Sequence, residues 1–193
     1  MTEYSSKDYS FYSYTGLKIN SHHIEIYKSL FRGREDIYAV RKEKGGKAGY
    51  MPEYDVDWTH WKEHQARGGG FDSYKYKKPV HLDDSIILSH LKGEKTCGIY
   101  PLMSDNTSFF IAVDFDGMNW QVSILDLHRT CKESEISSYI ERSRSGNGGH
   151  LWIFFDDAFP AYQSRRILFE LLRHAGIIST FDKEPSFDRL FPN

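Results

Sequence analysis

Asp114 and Asp116 stand two apart at the end of an apolar run, Ile111, Ala112 and Val113, and Gly117 follows them. Residues two apart on a strand share a face, so the pattern predicts two carboxylates projecting together from the end of a buried strand. Held that close, the charges repel and raise at least one pKa unless a divalent cation lies between them. Oxygen donors of this kind suit Mg²⁺ or Mn²⁺, with phosphate oxygens completing the shell. Gly117 lets the chain turn sharply away.

A second chemical stretch follows about one helix later. Arg142, Ser143, Arg144, Ser145, Gly146, Asn147, Gly148, Gly149 and His150 form a polar, glycine-rich loop in front of the apolar strand Leu151, Trp152, Ile153, Phe154 and Phe155. Glycines let backbone N–H groups approach a phosphate closely, and the arginines and His150 add charged donors. Taken singly, an Asp-x-Asp pair also suits a calcium-like or merely exposed edge, and a glycine loop is commonly a plain turn. Both in order, each abutting an apolar strand, read as the metal and triphosphate halves of a nucleotidyl-transfer site.

The elements that must position these residues are mixed in type. Residues 21–31 carry Ile24, Ile26, Tyr27, Leu30 and Phe31 at helical spacing, with Gly33 as the stop. Ile37 to Val40, a Gly45-Gly46 turn and a return to Tyr50 read as a hairpin. Residues 54–80, with Gly68-Gly69-Gly70 and alternating Tyr and Lys at 74–78, read as an irregular insertion. Asp83 or Asp84 caps a short helix ending before Gly93. Residues 97–103 and 108–113 are expected to form a hairpin that feeds the acidic pair. A helix over 120–133 follows, with Ile124, Leu127, His128 and Cys131 on one face; then come a strand over 137–141 and a helix from Pro160 to Gly176. The fold class is therefore α+β.

Bulk properties set the limits. The 193 residues suit one domain, and 25 basic against 27 acidic residues leave any basic surface local. Between Lys28 and Tyr50, seven Lys or Arg face three Asp or Glu. That excess fits either a phosphate-tracking surface, with Arg32, Arg34, Arg41 and Lys42 as its contacts, or an ordinary solvated strand face. Cys97 and Cys131 lack a zinc spacing and read as free thiols in a reducing cytosol. No run approaches the about 18 to 20 apolar residues of a membrane span, so a cytoplasmic protein is expected. Residues 1–24 read as a loose N-terminal arm and 25–193 as the catalytic domain.

The runs FRGREDIYAVR at 31–41, GIYPL at 98–102, AVDFDG at 112–117, ERSRSGNGGH at 141–150 and DRLFPN at 188–193 together resemble the primase domain of TOTE conflict systems, within the archaeo-eukaryotic primase (primase-polymerase) superfamily. The resemblance implies three motifs: the paired-aspartate strand, matched by Asp114 and Asp116; a small-x-His motif, matched by Gly148, Gly149 and His150; and a hydrophobic-acidic pair, for which Phe187-Asp188 is the candidate. It implies a curved, mainly antiparallel sheet of RNA-recognition-motif (RRM) type, backed by helices and joined to an N-terminal α/β unit. Related domains are expected to continue past Asn193, so the domain reads as C-terminally truncated.

By the same resemblance, Asp114, Asp116 and Asp188 hold two Mg²⁺ or Mn²⁺ ions and no zinc. His150 binds a nucleoside triphosphate, helped by Ser143, Arg144, Ser145 and the amides of Gly148 and Gly149. The partners implied are single-stranded DNA or a primer-template, together with a helicase and a nuclease. Two rivals stand beside this reading. Val113 to Gly117 also resembles the aspartyl motif of haloacid-dehalogenase-like phosphatases, although about 110 residues precede it where that family places it early. The other is a truncated, non-catalytic nucleic-acid-binding module.

Overall fold

The computed structural model describes residues 19–178 and 187–192, with the side chains of residues 44 and 187–189 outside that description. Of the arm expected at 1–24, residues 1–18 lie outside the described residues, and Ser21 to Ile24 already belong to a helix. A four-stranded sheet carries the acidic pair. Its strands are β6 (Thr107–Asp116), β7 (Tyr139–Arg142), β8 (Gly148–Pro160) and β9 (Phe187–Phe191), in the spatial order β7-β8-β6-β9, with every pair antiparallel. Between the strands run α4 (Trp120–Glu133) and α5 (Ala161–His174), so the connectivity is β-α-β-β-α-β.

Alternation along β6 and β8 decides which face the helices cover. Ile111, Val113 and Phe115 of β6 join Leu151 and Ile153 of β8 and Leu190 of β9 on one face. There they meet Ile124, Leu127 and Cys131 of α4 and Leu168, Leu171 and Leu172 of α5. Val113, Phe115, Leu127, Leu151 and Leu172 have no exposed surface, each worth about 1.5–3 kcal/mol relative to exposure. The intervening residues, Asp114 and Asp116 among them, therefore face the other side.

That second face is partly covered by the N-terminal unit. α1 (Ser21–Leu30) begins with a capping box in which Asn20 Oδ1 accepts the His23 N–H at 3.1 Å and His23 Nδ1 accepts the Asn20 N–H at 3.2 Å. Just past its end, Phe31 packs edge-on against Trp152, Phe154 and Phe110, with ring centroids 5.1, 5.4 and 6.0 Å apart. Gly33 has a role beyond stopping the helix. A Cβ there would lie 2.6 Å from the Tyr100 carbonyl oxygen and 2.8 Å from Ile99 Cγ1, so only glycine admits the 99–100 segment.

β1 (Ala39–Lys44) and β2 (Lys47–Pro52) form the expected hairpin, turned by Gly45 and Gly46 at φ 58° and 76°. The expected hairpin over 97–113 is not formed. β5 (Cys97–Gly98) pairs with β1 instead, and only a tight turn with a Met103 N–H to Thr107 carbonyl bond precedes β6. Segment 99–102 is committed elsewhere, since the Tyr100 carbonyl accepts the Arg34 N–H at 2.9 Å. The region read as irregular is a small unit of its own. It contains β3 (Tyr54–Val56), α2 (Trp58–Ala66) capped by Asp57, and β4 (Lys77–Pro79) paired with β3.

α3 (Asp84–Leu91) takes Asp83 as its cap, with Gly93 at φ 74° beyond its end. Its His90 is half-buried, and Nδ1 accepts the Cys97 N–H at 3.2 Å. Burial pushes the His90 pKa below its ordinary value of 6.5. The neutral ring is therefore preferred in the fold. Its contribution is full above 6.5 and is lost as pH falls through that value towards the lowered folded pKa. Melting temperature should fall between pH 7.5 and 5.5, and the fall should be smaller in His90→Gln; an equal fall in both proteins would sink this assignment.

Candidate active site

β6 and β8 bring the two chemical stretches together by register alone. Asp114 is directly opposite His150, and Asp116 is opposite Gly148. On the far side of β8, Glu141 of β7 is opposite His150 as well. Asp114, His150 and Glu141 thus form one row across the sheet at the open end of its second face. His150 Nε2 lies 3.5 Å from Asp114 Oδ1, and His150 Nδ1 lies 3.2 Å from Glu141 Oε2. A carboxylate only accepts, so the ring nitrogen facing Glu141 is the donor.

The electrostatics follow from this row. The hydrogen bond to Glu141 raises the His150 pKa above its ordinary value against the opposing effect of burial, and Asp114 and Asp116 add to the rise. Glu141 moves the other way, held down first by His150 and further by the Trp152 indole. Both shifts run towards the charged pair of Glu141 carboxylate and His150 imidazolium. Nε2 of the ring faces Asp114.

The two glycines of the small-x-His run serve opposite faces. A Cβ at Gly148 would collide with Asp116 Oδ1 and lie 2.6 Å from the Phe115 carbonyl oxygen. A Cβ at Gly149 would lie 2.6 Å from Trp120 Cζ3 and 3.0 Å from the Glu141 carbonyl oxygen. Gly148 gives the Asp116 carboxylate its seat, and Gly149 lets α4 start close against the sheet. Gly117, at φ 89°, makes the turn between β6 and α4.

The loop joining β7 to β8 is internally braced. The Gly146 N–H donates to the Ser143 carbonyl and the Ser143 N–H to the Gly148 carbonyl, both at 2.9 Å. Ser143 Oγ and Ser145 Oγ are 3.1 Å apart, and Ser145 Oγ accepts the Asn147 N–H at 3.3 Å. Arg142 folds onto its own loop, donating to the Gly146 carbonyl at 3.2 and 3.3 Å. Arg144 reaches the β1–β2 hairpin, 3.7 Å from Glu43 Oε1.

The family model described as the TOTE conflict system archaeo-eukaryotic primase domain matches residues 22–193. The chain belongs to that family. A comparison with curated proteins returns no match.

In this primase-family domain, the residues picked out as phosphate-backbone contacts all have partners within the chain. Arg32 donates to the Phe155 and Asp156 carbonyls at 2.9 and 2.8 Å and lies over the Phe109 ring. Arg34 forks onto Asp36, Arg41 pairs with Glu43, and Lys42 lies 2.9 Å from Glu53. The antiparallel sheet also removes the phosphatase rival, which needs a doubly wound parallel fold. Among the described residues, no helix is long and apolar enough to cross a membrane.

Asp188 lies within β9, alongside β6 where the pairing register breaks between Asp114 and Phe115; its side chain is outside the description. Among the described residues, no group of three or more His, Cys, Asp or Glu forms a ready metal cage. The two carboxylates nevertheless fit a hard divalent ion. They are oxygen donors on one face, and the exposed side of Asp116 leaves room for water and phosphate oxygens. Glu141 is not among the expected site residues. A count outward from the 143–147 loop sets Ile140 opposite His150, whereas the observed register, with Arg142 opposite Gly149, sets Glu141 there.

Proposed function

We propose that this domain is a DNA primase/polymerase-type nucleotidyltransferase, adding nucleotides to a 3′-hydroxyl on a single-stranded template in conflict with mobile elements. The observation that carries the reading is the register that sets Asp114 against His150 and Asp116 against Gly148. The β-α-β-β-α-β order supports an RRM-type sheet beneath the site. When bound, two Mg²⁺ or Mn²⁺ ions would activate the attacking hydroxyl and neutralise charge on the leaving pyrophosphate. Asp114, Asp116 and Asp188 are the residues that would hold them.

The remaining roles belong to protein groups. His150 donates its Nδ1–H to the Glu141 carboxylate and, in the protonated ring, offers Nε2–H to a triphosphate oxygen. Ser143, Arg144 and Ser145, on the braced loop, supply further donors, and Gly148 and Gly149 keep the floor of the cradle low. Nucleoside triphosphates and a primer-template are the partners, with a helicase and a nuclease working alongside in the cytoplasm.

The deciding experiment is extension of a labelled primer on single-stranded DNA with Mn²⁺ or Mg²⁺ and all nucleotides. Incorporation by the intact chain is expected, and His150→Ala should weaken triphosphate binding about tenfold or more, the loss of a charge-assisted contact. A folded chain that binds DNA yet incorporates nothing would overturn the polymerase reading in favour of a binding module.

A further inference from the structure

We propose that Glu141 is a positioning residue that holds the His150 ring with Nε2 turned into the active site. The inference rests on the nucleotidyltransferase reading above and goes beyond the three motifs by which the family was recognised. Glu141 and His150 are directly opposed on adjacent strands, so their side chains leave the sheet on the same face. Either flip of an imidazole fits a strand position sterically. The choice must therefore come from what each nitrogen meets.

Here one carboxylate oxygen makes that choice and is itself fixed. Glu141 Oε2 accepts from His150 Nδ1 at 3.2 Å and from Trp152 Nε1–H at 2.9 Å. Trp152 cannot swing freely, because it stacks on Phe154 with an interplanar angle of 4° and meets Phe31 and Phe110 edge-on. The order of control runs from this aromatic cluster to the indole N–H, from the indole to Glu141, and from Glu141 to the ring. Without Glu141, only the longer 3.5 Å approach of Nε2 to Asp114 orients the ring, and its carbon edge can turn to an incoming triphosphate. An exposed cross-strand pair of this kind adds little stability. Its effect is on geometry.

Three readouts separate positioning from a structural or purely charge-based role, using the full chain and its Glu141→Ala and Glu141→Gln variants. Gln keeps a carbonyl oxygen able to accept both N–H groups but carries no charge. In crystal structures, the His150 ring should be displaced in Glu141→Ala and return to its place in Glu141→Gln. In primer extension, Glu141→Ala should raise the KM for nucleoside triphosphate about tenfold, as loss of an orienting partner does elsewhere, with a much smaller change in kcat. Glu141→Gln should recover most of that loss. Melting temperatures serve to show that both variants are folded.

An undisplaced ring in Glu141→Ala would overturn the proposal. So would a Gln variant as impaired as the Ala variant, because charge and not orientation would then be the contribution. Failure of the underlying reading looks different: the intact chain and His150→Ala would bind the triphosphate equally well. The ring displacement would still decide what Glu141 does.

Discussion

Replacing Asp114 or Asp116 by Ala should lower Mn²⁺-dependent nucleotide incorporation by roughly a thousandfold or more, the scale on which charge-stabilising groups act at a reacting centre. The chain should stay folded. Both carboxylates lie on the face opposite the apolar core, so neither truncation opens a cavity among Val113, Phe115 and Leu151. Removing a carboxylate also relieves crowding of negative charge in the absence of metal, so a gain in metal-free melting temperature is the accompanying result, smaller for Asp114, which also faces His150 at 3.5 Å. The gain should vanish when Mn²⁺ is added to all three proteins, since the intact chain alone is then stabilised by binding. A variant retaining a tenth of the activity would remove that aspartate from the catalytic set. Chelation of the intact protein should abolish incorporation to the same extent.

The second large effect is expected from adding a single methyl group. Gly148→Ala places a Cβ where the Asp116 carboxylate now sits and 2.6 Å from the Phe115 carbonyl oxygen. The Asp116 side chain can yield, but the Phe115 carbonyl oxygen is held in the centre of the sheet, so β8 must also shift locally. Displacing a reacting group by about 1 Å costs on the order of a hundredfold in rate. Overpacking costs about 1–3 kcal/mol, which a domain of this size tolerates. Incorporation should therefore collapse, with the melt lowered by several degrees but the chain still folded. Gly149→Ala provides the contrast: its clash is with Trp120 on the helix side, so stability should fall first and activity only as the protein unfolds. Equal activity in Gly148→Ala and the parent protein would show that Asp116 works from another position.

What could be read in the sequence follows a physical division. The strand bearing Asp114 and Asp116, the helices over 120–133 and from Pro160, and the hairpin at Gly45-Gly46 are each written in local alternation, helical periodicity or turn chemistry. The structure has them as β6, α4, α5 and the β1–β2 pair. Pairings between distant segments leave no local trace. Residues 97–103 are apolar and close in sequence to β6, so a hairpin with it is the expectation, yet Cys97 and Gly98 pair with Val40 and Ala39. α2 was missed for a different reason. None of its residues is buried, so it shows no apolar stripe, and its start is marked only by the Asp57 cap. At the site, residue types were legible and partners were not. Glu141 ends the expected strand over 137–141, and only the register sets it against His150.

Phe31 carries a consequence for the reaction's surroundings. By packing against Phe110, Trp152 and Phe154 it gives one sheet face an aromatic, partly covered half and an open half, with Asp114 and His150 between them. Charges at such a shoreline are poorly screened from one side, since field lines that would pass into water are confined to protein. Each contact made there with phosphate is worth several times its value in open solvent. On the nucleotidyltransferase reading, the N-terminal unit would act on the chemistry as an insulator.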